Sequence, residues 1–535
     1  MMSKLIKFLN KIDDNTLFTL LVFTSFVVYF HFSKALFFGY NNTLLFLVGC
    51  SLLLLCNFIV AQAKLLPEVK IYLRLCSIFQ LVYVVASSIS YFYLINSIFP
   101  YLVIFLSIIL LILVLKFEYF LTLPAILILV YKNFSVNYYE FKISLVDYRT
   151  LIDCTIYPIL FLGVIEILNK FFIKNNVKQK LNTKSVQYLS ILIIYFVHLG
   201  NYFFSGLHKL SLTTNGGNFF SWIFHNETSN LITVSTLTKQ NPITSFIPSI
   251  LSLDSFNQPN FDKIISLDEI NLFMNISTLI VQLGCIFFVT KHILNKFLLI
   301  SFDISHILIF LFSGIFFYKW IFLNIFFLIF FIKFKNYELI IKKHLVMLIF
   351  CMLGSYKFFG TEALAWYDGH FVKRNYLSVK FNDGKTYELP KNIFLHLSIT
   401  AEQGRLIANP GDVYAGNFGS TKQYDIYKKS FKCDVPQNLK INRKNKNLIE
   451  KKYKKLFLKH KKLLEKNNFY NKKISNTFFF PHHIWSNMSY FKYLDNYSFD
   501  DIDEIKLELK YLCLTSNKNF IIIDEMSYLF YKNEI

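Results

Sequence analysis

Between Tyr195 and Leu210 the chain reads YFVHLGNYFFSGLHKL, a run apolar enough for a membrane that nevertheless carries His198, Asn201, Ser205, His208 and Lys209. At 100° per residue, Asn201, Tyr202, Ser205 and Lys209 all fall within about 60° of His198 on a helix. One face therefore collects an imidazole, an amide, a phenol, a hydroxyl and an amine, while Phe196, Phe203 and Leu207 take the other. Polar groups inside a bilayer are costly and normally face a bundle interior or a cavity. Two readings follow. The stripe is a packing seam with interhelical hydrogen bonds and a snorkelling Lys209, or it is a site whose chemistry runs through His198 and Lys209.

A second pair stands in LISFDISHILIFLFSGIFFYKWIFLN. Asp303 and His306, three apart, share a helix face. An intramembrane Asp–His pair is a functional hypothesis by default, the carboxylate orienting the imidazole as a base or proton relay; a structural ion pair is the plainer alternative. Both are expected in the cytoplasmic third of their span, too deep to meet Lys209. Glu166, in LGVIEILNK, is another charge inside a span, placed to neutralise a basic partner or line a proton path. Asp153 lies nearer a helix end, where water reaches it. His482 and His483 lack companions at metal-ligand spacing, so no metal is expected. No nucleotide-binding glycine loop, G-x-S-x-G elbow or H-E-x-x-H is present.

The elements that must position these groups are membrane spans. The chain of 535 residues is 54% hydrophobic with a mean hydropathy of +0.42, and its apolar residues come in runs of the roughly 20 needed to cross a bilayer. Spans are predicted near 16–33, 43–63, 75–98, 101–115, 119–134, 151–172, 186–207, 270–290, 297–317, 320–334 and 344–358. The stretch 101–134 is divided because Lys116 and Glu118 interrupt it. The division also suits the bias of Lys and Arg toward cytoplasmic loops. With Lys4, Lys7 and Lys11 inside, the clusters at Lys64–Arg74, Lys174–Lys184, Lys291–Lys296 and Lys333–Lys343 all return inside. The expected fold is an all-α polytopic membrane bundle of about eleven transmembrane helices over 1–359, with a C-terminal α+β soluble domain over 360–535. Parity puts Lys209, the loop 210–269 and the tail on the trans side, the periplasmic side of a bacterial inner membrane.

The loop carries Phe219, Phe220, Trp222 and Phe224 after a Gly-Gly break, read as an interfacial or re-entrant segment. In the tail, strand-like alternation flanks Asn382-Asp383-Gly384, a hairpin over 376–389. The Lys-rich 437–473 reads as a basic amphipathic helix, either solvated or docked on a membrane surface, and the end of the chain as mixed α/β. Cys433 and Cys513 pair if the tail faces an oxidising compartment. The net charge of +22 suits loop topology and anionic headgroups. With no recognition motif beside it, nucleic acid is not expected as a partner.

Tyr202, Phe203, Ser205, Gly206, Lys209 and Leu210, followed by Trp222, resemble a motif of the vitamin K-dependent γ-carboxylase and HTTM membrane family, Tyr-Phe-x-(Ala/Ser)-Gly-x-x-Lys-Leu at a span end with a Trp-containing segment after it. GIFFYKWIFLN, Gly314 to Asn324, is similar to the family's Gly-aromatic-Trp segment. His208 stands where the carboxylases have lysine, and their Asp-x-x-Trp spacing is absent. The resemblance implies Lys209 as a base toward a reduced, vitamin K-like quinone, since an amine in low-dielectric surroundings can be neutral near pH 7. It further implies His208 and His198 as assisting groups, and Asn201, Tyr202, Ser205 and Trp222 around a quinol-like or lipid substrate. The competing expectation is a non-enzymatic transporter or assembly component, with Asp303, His306 and Glu166 lining a polar path.

Overall fold

The computed structural model describes residues 13–37, 43–92, 98–139, 148–174, 182–211, 221–224, 268–334, 337–359, 364–366, 371–390, 418–420, 487–514 and 520–533, with isolated positions between them. The apolar runs form α1 (Asp14–Phe37), α2 (Thr43–Gln62), α3 (Pro67–Phe92), α4 (Phe99–Lys116), α5 (Leu123–Tyr139), α6 (Tyr148–Lys174) and α7 (Thr183–Ser211). Then come α8 (Asp268–Phe288), α9 (His292–Ser313), α10 (Tyr318–Lys333) and α11 (Tyr337–Phe358). Eight helices among the described residues are long and apolar enough to cross a membrane. The chain leaves α4 at Lys116 and re-enters α5 after a 3-10 turn at Glu118–Phe120, where Lys70 of α3 pairs with Glu118.

The bundle core is a continuous cluster of Leu, Ile, Val and aromatic side chains, while many large apolar residues, among them Leu44, Phe105, Phe287 and Ile293, face outward. An apolar exterior round an apolar interior is what a helix bundle in lipid requires. Helix α7 is the axial element. It packs on α11, α6 and α8, and its window is the most buried of the eight. Its approach to α11 is backbone-close: a Cβ at Gly200 would lie 2.1 Å from Ser355 Oγ and 2.9 Å from the Met352 carbonyl. The α9–α10 connection is equally tight. Gly314 ends α9 in the left-handed region (φ 73°) and its N–H bonds the Phe310 carbonyl. That hairpin sets Asp303, about three turns before it, level with Asn324, about three turns after.

The tail holds a four-stranded antiparallel sheet, order β3-β2-β5-β6, from β2 (Phe371–Phe381), β3 (Thr386–Leu389), β5 (Ile502–Leu514) and β6 (Phe520–Lys532); β1 (Leu364–Trp366) pairs with β4 (Phe418–Ser420). The β2–β3 turn is Asn382-Asp383-Gly384. The Tyr497 hydroxyl donates to Asp383 at 2.7 Å and holds its carboxyl below the usual carboxylate range. Alternate residues Leu377, Val379 and Phe381, then Ile505, Leu507 and Leu509, face a core closed by Tyr490, Phe491 and Leu494. The end of the chain, expected to mix helix and strand, is strand preceded by 3-10 turns. The expected helix 437–473, Cys433 and the His482-His483 pair fall on positions that are outside the described residues or isolated within them.

Sheet and bundle share a core. Trp222 from the loop and Leu279 from α8 are buried in the same cluster as the sheet. Lys239, also from the loop, pairs with Glu388 at 3.1 Å, and its carbonyl accepts from the Asn487 N–H at 3.0 Å.

A branched side chain at Gly200 should force α7 from α11. Gly200→Val is expected to destabilise the protein by about 1–3 kcal/mol, read as a lower midpoint of thermal unfolding in detergent.

Candidate functional site

The polar face of α7 is buried along its length: His198 is 1% exposed, Asn201 7%, Tyr202 5%, Ser205 7% and Lys209 5%. At its lower end the cover comes from the α9–α10 hairpin, and the contact is one amide. Asn324, fully buried on α10, receives His198 Nε2 at 2.9 Å on Oδ1. Its Nδ2 donates to Asp303 Oδ1 at 2.8 Å and to the Tyr202 hydroxyl at 3.0 Å. Helices α7, α9 and α10 are thus tied through a single side chain. Aromatic groups close round it. Tyr202 stacks on Phe302 at 3.5 Å between ring centroids, and Trp320 lies 5.3 Å from His198 and 5.5 Å from Tyr202. His306 is buried 5.7 Å from Tyr202 and 6.1 Å from Trp320.

The helix that carries Asp303 and His306 begins earlier than the expected 297–317. Helix α9 starts at His292 and ends at Ser313, so they lie at and past its middle, level with His198 and Tyr202. The carboxylate bonds to Asn324, while His306 packs among rings, so the expected Asp–His contact gives way to an Asp–Asn–His chain.

The upper end of the stripe has different neighbours. Lys209 Nζ lies 3.4 Å from the Ser205 carbonyl, 3.2 Å from Gln282 Oε1 of α8 and 5.8 Å from the Trp222 ring centroid. Trp222 sits in a 3-10 turn, Ser221–Phe224, whose carbonyls accept from Asn275 Nδ2. Its indole is buried in the core shared with the sheet. Asn201 and Ser205 bond back to carbonyls of α7 itself. His208 is half-buried against Tyr356 of α11, 5.9 Å between rings.

The residues expected to act together therefore separate. Lys209 and His198 are eleven residues apart on one helix, about 16 Å along its axis, and His208 turns toward another neighbour than Lys209. Glu166 is half-buried on α6, whereas Asp303 and His306 belong to the α9–α10 hairpin. Asp153 is not the solvated end group expected but 3% exposed, accepting from the Tyr29 hydroxyl with Arg149 Nε 3.6 Å away.

Asn324, Gln282 and the buried Lys319, whose Nζ is 4.9 Å from the Tyr83 ring centroid, were not singled out in the sequence. The available signal was that each is a lone polar residue in an apolar run. Among the described residues, no three His, Cys, Asp or Glu side chains gather to hold a metal ion. No protein family, curated protein or solved structure matches this chain.

Replacing the amide by an isosteric apolar group leaves the buried His198 Nε2 and Tyr202 and the half-buried Asp303 without it. Asn324→Leu should lower stability by about 1–3 kcal/mol. Thermal unfolding in nanodiscs checks this, with Leu323→Ala as a cavity-forming control.

Proposed function

We propose that the protein is an integral membrane protein of about eleven spans, with the sheet domain on the trans side of a bacterial inner membrane. In this reading it acts on a hydrophobic quinol-like or lipid substrate, with Lys209 as base. The observation that carries the reading is the setting of Lys209: an amine 5% exposed, at the sheet-bearing end of the bundle, between the Gln282 amide and the Trp222 indole. A lysine that only snorkels would place its amine in water. The donor set fits a hydroquinone head, with an aromatic face for the ring and an amide and an amine for its oxygens. A reduced quinone supplies a weakly acidic hydroxyl. Lys209 Nζ is the group that holds its proton, Gln282 orients the amine, and Trp222 excludes water. The resemblance to the γ-carboxylase and HTTM family adds to this reading at Tyr202, Ser205, Gly206 and Lys209.

A second reading has its own observation. Asp303, His198 and Tyr202 converge on Asn324, with His306 and Trp320 beside them, as polar groups do along a path for protons or a small solute. Glu166 stands outside that cluster.

Mass spectrometry of lipids and quinones co-purified with the protein separates the two. On the first reading, Lys209→Ala loses at least tenfold of a bound hydrophobic ligand and Asp303→Asn keeps it. Equal loads in wild type and Lys209→Ala would sink the assignment of Lys209. Proton flux into proteoliposomes that Asp303→Asn abolishes and Lys209→Ala spares would establish the second.

A further inference from the structure

The Asn324 amide also fixes the state of His198. Its NH2 is committed to Asp303 Oδ1 and the Tyr202 hydroxyl, so Oδ1 faces His198 Nε2 at 2.9 Å. An amide oxygen only accepts. Nε2 therefore carries the hydrogen, and in the neutral ring Nδ1 carries the lone pair. That Nδ1 is buried and, among the described residues, has no hydrogen-bond partner. An unmet acceptor in a bundle interior is costly unless something small and protic sits against it.

A place for such a group exists beside His198, where α7 faces α6. Thr150, Asp153 and Cys154 of α6, His198 and Asn201 of α7, and Phe359 line a small cavity of about 20 Å³, room for about one water or one hydroxyl group. Asp153 brings a second acceptor. Oδ1 already receives the Tyr29 hydroxyl, and Oδ2 is 3.6 Å from Arg149 Nε, longer than a hydrogen bond. The Arg149 side chain is 30% exposed and donates to the Phe358 carbonyl at 3.2 Å. The cavity thus lies between a partly exposed cation and a buried imidazole.

We infer that this cavity is a hydroxyl-binding site, distinct from the surroundings of Lys209, in which His198 Nδ1 accepts a hydrogen bond from one water or one alcohol or phenol hydroxyl beside Asp153. Water donates one hydrogen to Nδ1 and the other to the carboxylate; a substrate hydroxyl donates its single hydrogen to Nδ1. Asp303 and Asn324 are positioning residues, since they act on the hydroxyl only through the tautomer of His198. The inference does not rest on Lys209 being a base.

The test is nitrogen NMR of the full chain, labelled with 15N-histidine, in lipid nanodiscs. The His198 signals are those lost in His198→Gln. The expected spectrum has a protonated Nε2 and an unprotonated, hydrogen-bonded Nδ1. Asp153→Asn and Thr150→Val should each move the Nδ1 resonance and leave Nε2 in place, and Lys209→Ala should move neither. Thr150→Val, nearly isosteric, keeps the test available if Asp153→Asn does not fold. A proton on Nδ1, or an Nδ1 resonance unmoved by both cavity variants, overturns the inference. Delipidation separates the occupants: a resonance that stays identifies water, and one that follows lipid removal identifies a lipid or quinol hydroxyl.

Discussion

One buried amide carries the centre of this bundle. Asn324 satisfies an imidazole, a phenol and a carboxylate from two other helices at once. In an apolar interior each of those groups would otherwise be an unpaired polar atom. Where both the inside and the outside of a bundle are apolar, as here, apolar contact alone does little to select which helices meet or at what height. A polar hub does select. It fixes α7, α9 and α10 in register, and the tight turn at Gly314 makes the match between Asp303 and Asn324 possible.

Other polar knots repeat the device at other heights. Tyr195 donates to Asn295 at 2.5 Å, and Asn295 in turn meets Tyr337 at 3.2 Å. Gln80 of α3 reaches the Leu151 carbonyl and Thr155 Oγ1 of α6, both at 2.9 Å. Each links helices that the chain does not make consecutively. The stripe on α7 is therefore two things along one face: a bonded network below, and a lysine in a mixed amide and aromatic setting above.

How much of this was legible from the sequence follows the range of the interactions. The apolar runs and the break at Lys116 and Glu118 depend on local composition, and they read directly. The polar face of α7 depends on helical period alone, so His198, Asn201, Tyr202, Ser205 and Lys209 were found together. What lay beyond reach was which helix covers which part of that face. Asn324 is one amide in the run GIFFYKWIFLN, and its meaning comes from Asp303 and His198 across two interhelical contacts. The place of Asp303 and His306 along their helix differs from the hydropathy reading for a simpler reason. The span was drawn from hydropathy, which ignores that α9 begins several residues earlier, at His292. Asp153 reads as solvated from its position near a helix end, but Tyr29 and Arg149 enclose it. The burial of Trp222 is not legible locally, because the sheet that covers it is formed far along the chain.

That last feature bears on the order of synthesis. The loop that holds Trp222 leaves the ribosome soon after α7, whereas β5 and β6, which complete its enclosure, are made only at residues 502–532. Domains tend to fold as units during synthesis, but here the apolar cover over one end of the bundle waits for strands from the far end of the chain. Until they arrive, the Trp222 indole and the neighbouring surface of α8 are open on the side that the sheet will occupy. The sheet is thus less an appended domain than the closing piece of the helix bundle.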